Sequence, residues 1–264
     1  MKGFRQKPRV LVVGGGTLAQ ALERSFSLGG IATFRAGRNP GVWHLDLSRD
    51  PGCWNVPSQL DWVFVCAGMT SRAECEKQPH LSRWINVGGS VQLARHFLSR
   101  GAKVVFFGTD LSPEAGEYAK QKEELRRQLA QLAGSVWIRL GKVVHHRLSV
   151  LQSWKESLAQ GAPIEAFASV RISPVSPEAI AEGCLHLVAS RQRPATALVW
   201  QTPGSMTYVE LARKWGQFLG YPASRTRILE KKSPPEAWAP YPVFPSKEYE
   251  AILWGVDRNA WWNA

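Results

Sequence analysis

The stretch VVGGGTLAQAL, residues 12–22, constrains the fold of this chain more than any other. An apolar run, a glycine-rich turn and a helical pattern follow one another without a gap, and Gly14, Gly16 and Ala19 stand as G-x-G-x-x-A. Gly14 permits a tight turn, Gly16 lets backbone N–H groups approach a pyrophosphate, and Ala19 lets the helix pack closely on the strand. The helix N-terminus, at Thr17 and Leu18, adds positive potential for an anion. Alone the spacing is weak, and a glycine-rich turn without a ligand is the competing reading. In the first strand-to-helix turn of an alternating chain it reads as a dinucleotide site.

The alternation is there. Strand patterns at 9–14, 31–36, 42–47, 60–68, 102–110 and 135–144 are separated by helical ones. These cover 17–29, a long segment from Pro79 to Ser99, and a helix from Ser112-Pro113 to Ala133, with Ser as N-cap and Pro at the first helical position. Such alternation predicts a parallel sheet covered on both faces by right-handed crossovers. Beyond residue 144 the rhythm loosens. Residues 149–161, 176–190 and 207–220 read as helices, 165–173 as partly extended, 196–202 as a strand, and the proline-rich 231–245 as a loop.

The identity of the dinucleotide turns on charge. An NAD site carries an acidic residue about 20 residues after the turn, for the ribose 2′-hydroxyl. Between Arg24 and His44 there is none, whereas Arg35 and Arg38 lie where the 2′ substituent would sit. Two guanidiniums fit a 2′-phosphate and hence NADP(H); the alternative is a pair of solvent-facing loop arginines. The net charge of +12 fits either phosphate steering or a solvated basic surface. Lys and Arg are dispersed and no nucleic-acid signature is present, so nucleic-acid binding is not expected.

The 264 residues include four cysteines, Cys53, Cys66, Cys75 and Cys184, with no C-x-x-C and no zinc spacing. That usage fits a reduced, cytoplasmic setting, and no metal is expected. Cys66, in an apolar run, reads as core. No segment reaches the roughly 18 uninterrupted apolar residues of a membrane span, so no membrane is expected.

Tyr118 and Lys122 share a helix face four residues apart, as either an exposed pair or a proton-transfer device. Taken in order, the glycine turn, HLDL, VCAG, INVGGS, FFGTD and Tyr118-x-x-x-Lys122 resemble the extended branch of the short-chain dehydrogenase/reductases. They are most similar to the dTDP-4-dehydrorhamnose reductases and related sugar-nucleotide reductases. WIRLGKVV, VRISPVSPEAIAEGCLHLV and WQTPGSMTYVELARKWGQFLG resemble that group's substrate-binding half, so the resemblance spans most of residues 9–255. It implies an α/β, Rossmann-type doubly wound parallel sheet with a smaller C-terminal lobe. Residues 1–147 would bind NADP(H) and carry the site; 148–264 would mainly enclose substrate, with some elements returning to the core.

The resemblance also implies roles. Tyr118 would give a proton to a substrate carbonyl, and Lys122 would lower its pKa and hold the nicotinamide ribose. Thr109 would bond the carbonyl oxygen, Asp46 and Leu47 would contact the adenine, and Cys66, Ala67 and Gly68 would line the cofactor. Asn86 would brace the site. The chain departs from the family in its shorter glycine turn and in the nine-residue step from Thr109 to Tyr118, where the reductases carry a longer loop. A ligand beyond the carboxyl ends of the strands would meet Met69, Thr70, Asp110 and the 141–147 segment, with Lys142 and Arg171 as partners for a nucleotide diphosphate. His145 and His146 read as rim or surface residues, because neighbours on a strand point apart. Trp154, Trp238 and Trp254 are either pocket walls or core.

The expected activity is NADPH-dependent reduction of a carbonyl, a 4-keto group on a nucleotide-linked sugar. Epimerase or dehydratase chemistry is the sibling reading, and a non-catalytic NADP-binding regulatory protein the other alternative. Monomer and homodimer both remain open.

Overall fold

A computed structural model describes residues 7–190, 196–201 and 204–231. Its centre is a sheet of seven strands, all parallel. In chain order these begin with β1 (Arg9–Val13), β2 (Ala32–Gly37), β3 (Trp43–His44), β4 (Trp62–Val65), β5 (Lys103–Thr109) and β6 (Ser135–Leu140). The strand Ala197–Trp200 completes the edge beside β6, giving the spatial order Ala197–Trp200, β6, β5, β4, β1, β2, β3. The order reverses between β1 and β4, which in open α/β sheets opens a crevice for ligands.

The near-continuous apolar strands follow from burial on both faces. On one face Val10, Val12 and Phe64 pack with Leu22 and Phe26 of α1 (Thr17–Leu28). On the other, Leu11, Val63 and Phe106 meet Leu93 and Phe97, with Leu125 and Leu129 beyond. A third cluster, outside the sheet, joins Leu151 and Trp154 to Tyr208, Leu211 and Trp215.

The helices on the second face are short segments in series. α2 (Arg72–Lys77) is capped by the Ser71 hydroxyl, which accepts from the Glu74 N–H at 3.3 Å. α3 (Pro79–Arg83) runs into a π turn, Trp84–Gly89, and on into α4 (Ser90–Leu98). The expected long helix is therefore continuous but carries a π turn at its middle, a feature common at functional sites.

The helix expected from Ser112-Pro113 differs more. Pro113–Ala115 is only a 3₁₀ turn, the chain breaks at Gly116 (φ 115°), and α5 (Glu117–Leu129) begins afresh. The Glu76 carboxylate, from α2, accepts the Glu117 N–H at 2.8 Å and restarts the helix. Tyr118 accordingly lies in the first turn of α5 and not, as expected, in the second turn of a longer helix.

In the second half, α6 (Ser149–Ala159) and α8 (Tyr208–Phe218) build the outer cluster, and α7 (Pro177–Ala189) returns to pack on α1. Ser176 caps α7 through the Ala179 N–H, and Thr207 with Glu210 forms a reciprocal capping box on α8. Trp154 is core, its indole N–H bonded to the Glu165 carbonyl. Trp238, Trp254 and the 231–245 loop, apart from Lys231, lie outside the described residues. Among those described, no helix is long and apolar enough to cross a membrane, and no metal-binding cluster of His, Cys, Asp or Glu occurs.

Candidate active site

Two adjoining cavities open along the carboxyl ends of the strands. The larger, about 730 Å³, is lined by Gly14, Gly16, Arg35, Arg38, Asp46, Leu47, Cys66, Ala67 and Gly68, each singled out from sequence. Met69 and Thr70 also line it. Thr17 and Leu18 do not, and Leu18 packs instead against the core.

The shape suits a pyrophosphate. Gly14 has φ +125°, and a Cβ there would lie 3.0 Å from the Ala67 nitrogen, so the turn requires glycine. A Cβ on Gly16 would meet nothing within 4 Å: the space above the turn is open. No side chain caps α1, which leaves its first N–H groups for a ligand. At the far end, Arg35 bonds Glu23 at 3.1 Å, while exposed Arg38 faces Asp46. Burial would raise the Asp46 carboxyl, but hydrogen bonds from Ser48 and the charges of Arg38 and Arg49 outweigh it and hold the pKa below its ordinary value. The same segment is anchored by Trp54, whose indole donates to the Asp46 carbonyl at 2.8 Å, and by Trp84, which donates to the Ser48 carbonyl at 3.1 Å.

The second cavity, about 380 Å³, is lined by both Thr109 and Tyr118, together with Asp110, Lys142 and Arg171. Thr70 belongs to both cavities and marks where they meet. Beneath it, the Lys122 ammonium stands 5.7 Å from the centroid of the Tyr118 ring and donates to the Phe107 carbonyl at 3.1 Å. Thr109 Oγ1 accepts from the Leu111 N–H at 3.2 Å, and its hydroxyl also serves the Asp110 carboxylate. Thr109, Tyr118 and Lys122 are thus gathered at one place.

Burial pushes the Tyr118 phenol up, and Cys75 and Asp110 push it further in the same direction. Lys122 itself is pushed down to about 8 by burial, against the opposing pull of the Cys66 and Cys75 thiols. Asp110 is raised by burial despite Lys142 and Arg139.

Asn86, on the π turn, is the brace that the motifs implied. Its Oδ1 accepts from the Met69 N–H at 2.8 Å while its Nδ2 donates to the Met69 carbonyl at 2.9 Å and to Gln121 Oε1 at 2.8 Å. Gln121 Nε2 continues to the Ser82 hydroxyl at 2.8 Å. This buried chain fixes α5, and so Tyr118 and Lys122, relative to the loop after β4. In the sequence the one signal for Gln121 is a polar residue beside Lys122 on the same helix. Arg72, Tyr208 and His145 also line the second cavity, His145 being the residue expected at its rim.

The fold is of Rossmann type. No protein-family profile matches the chain, and no curated protein does. Solved structures do match. The dTDP-4-dehydrorhamnose reductase of Bacillus anthracis in complex with NADP has a TM-score of 0.75 at 16% identity, covering 94% of this chain and 96% of that one. A UDP-glucose 4-epimerase of Thermus thermophilus complexed with NAD has 0.69 at 17%, over 93% and 96%. WbmG of Bordetella bronchiseptica, complexed with NAD and UDP, has 0.72 at 14%, over 94% and 89%. What is shared at such identities is the fold, and at that level the resemblance drawn from the motifs holds.

Proposed function

We propose that this protein is an NADPH-dependent reductase of a carbonyl on a nucleotide-linked sugar, with Tyr118 as proton donor. One observation carries the reading: Thr109 and Tyr118 line a cavity that meets the glycine-turn cleft at Thr70, with the Lys122 ammonium beneath the phenol. A nicotinamide dinucleotide, when bound in the cleft, supplies the hydride. The chain supplies the rest. Thr109 and Tyr118 hold the carbonyl oxygen, and the phenol proton passes to that oxygen as the carbon is reduced. Lys122 then steadies the phenolate until solvent returns a proton.

The raised phenol supports reduction over the sibling chemistry. A reductase begins with a protonated Tyr, whereas an epimerase or dehydratase begins by removing a proton from the substrate. Burial and the Asp110 charge favour the protonated form. Val170, Ile172 and Tyr208, all buried, also line that cavity. In this reading residues 1–147 bind cofactor and carry the reacting groups, while substrate enclosure falls mainly to 148–264.

The test is stoichiometric. Incubated with 4-keto nucleotide sugars, the protein is expected to consume one NADPH per carbonyl reduced. Conversion of substrate without net NADPH loss would favour epimerase or dehydratase chemistry instead.

Two further results are expected. Lys122 acts as an ammonium, so kcat/KM is expected to fall as pH rises through about 8, approaching tenfold per pH unit on that limb. The Lys122→Arg variant, whose charge persists, should lose the limb; its persistence would assign it to another group. Arg38→Ala is expected to cut the preference for NADPH over NADH by about 10- to 100-fold, the value of one hydrogen bond to a charged group. An unchanged ratio of kcat/KM for the two cofactors would remove Arg38 from the 2′-phosphate site.

A further inference from the structure

Tyr118 sits where a helix is weakest. α5 opens at Gly116, whose φ of +115° breaks the chain and which brings no side chain to cap the helix. The first N–H groups of a helix have no partner within it, so an uncapped first turn frays. Glu117 and Tyr118 form that turn, whereas Lys122 lies one turn on, held by the Phe107 carbonyl at 3.1 Å. An opened first turn would carry the phenol away from both the ammonium and Thr109.

What closes the turn comes from α2. The Glu76 carboxylate accepts the Glu117 N–H at 2.8 Å, and Arg72, one helical turn earlier, donates through Nη2 to the Ala115 carbonyl at 2.5 Å. Residues four apart on a helix share a face, so the pair grips both sides of the Gly116 break. A Cβ on Gly116 would collide with the Glu76 carboxylate oxygen, which fills the space the glycine leaves. α2 is itself fixed to the loop after β4. Ser71 caps it, and the Cys75 thiol donates to the Met69 carbonyl at 3.4 Å, the same carbonyl that takes the Asn86 amide. Tyr118 therefore lies between two anchors, Glu76 at residue 117 and Asn86 at residue 121. One anchor leaves the helix free to turn about it; two fix the direction of the phenol.

We propose that Glu76 and Arg72 are positioning residues, which together set the Tyr118 hydroxyl against Thr109 and the substrate carbonyl. The inference rests on the reductase reading for the word substrate, and it adds a requirement from outside the two cavities. Glu76 is exposed and lines neither, so its influence runs through the first turn of α5 and not through contact with a ligand. The step from Thr109 to Tyr118, with its 3₁₀ turn at Pro113–Ala115, holds no side chain that caps α5. The contact from α2 takes the place of that cap.

Fluorine NMR reads the placement without turnover. The full-length protein is labelled with 3-fluorotyrosine, and the Tyr118 signal, among five tyrosines, is identified by its absence from Tyr118→Phe. Glu76→Ala is expected to shift or broaden that signal. It should lower kcat by about 10- to 100-fold, the cost of a misplacement on the order of 1 Å, with KM and NADPH affinity unchanged. Glu76→Gln keeps an acceptor oxygen at the same reach. It should restore the signal and bring kcat within about fivefold of the parent, the remainder being the charge at the helix N-terminus. A role in stability alone would lower Tm without separating kcat from KM. Arg72→Met should move the same signal, and it serves if Glu76→Ala fails to fold. An unmoved Tyr118 signal or undiminished kcat in Glu76→Ala, or a Gln variant as impaired as the Ala one, would overturn the proposal. A moved signal in a protein that never oxidises NADPH would uphold the positioning while removing the reductase reading.

Discussion

Tyr118→Phe is expected to lower kcat by about 10²- to 10⁴-fold, the usual contribution of a positioned general acid, and to leave NADPH binding nearly unchanged. Only the hydroxyl is removed. The ring keeps its place in the first turn of α5, and that helix remains tied through Gln121 to Asn86 and Met69. The Lys122 ammonium retains its bond to the Phe107 carbonyl. The loss should therefore fall on the chemical step, read as a drop in kcat with an intact cofactor titration by fluorescence. An equal loss of NADPH affinity would make Tyr118 a binding residue, and undiminished kcat would remove it from the reaction.

Gly89→Ala is expected to be the most damaging single change to the fold. A Cβ at this position would stand 1.9 Å from the Leu47 carbonyl oxygen and 2.8 Å from its carbon. Both are backbone atoms in the segment that lines the cofactor cleft, so no side chain can rotate away to relieve the contact. Ordinary overpacking costs about 1–3 kcal/mol, and a backbone clash of this kind should exceed it. For a chain of this size that means a fall in Tm of at least roughly 5 °C. Because the displaced strip carries Asp46 and Leu47, NADPH affinity should weaken as well. Thermal melts of the free and NADPH-bound protein check both effects, and an unchanged Tm would contradict the close packing of the π turn on that strip.

The glycine turn and the strands were legible because their causes are local. Gly14 at φ +125° and the apolar run before it would read the same in any parallel sheet. Tyr118 and Lys122 were legible as a pair because four residues on a helix share a face. What escaped came from tertiary contacts. Ser112-Pro113 carries a sound start signal, and nothing nearby announces that the helix restarts at Glu117; the cause is the Glu76 carboxylate, some forty residues earlier in the chain. The raised pKa of the Tyr118 phenol is not legible in the sequence for a like reason. The lysine is visible four residues away, whereas the burial and the Asp110 charge that prevail depend on the assembled cavity. Arg72 and Tyr208 reach that cavity from α2 and α8, and no spacing rule links them.

A structure of the protein with NADP⁺ bound tests the central claim most directly. The account predicts the pyrophosphate on the Gly14–Gly16 turn, the reactive ring carbon facing the space between Thr109 and Tyr118, and Lys122 Nζ bonded to the nicotinamide ribose. A nicotinamide lying outside the second cavity, or a Tyr118 hydroxyl turned away from it, would contradict that account.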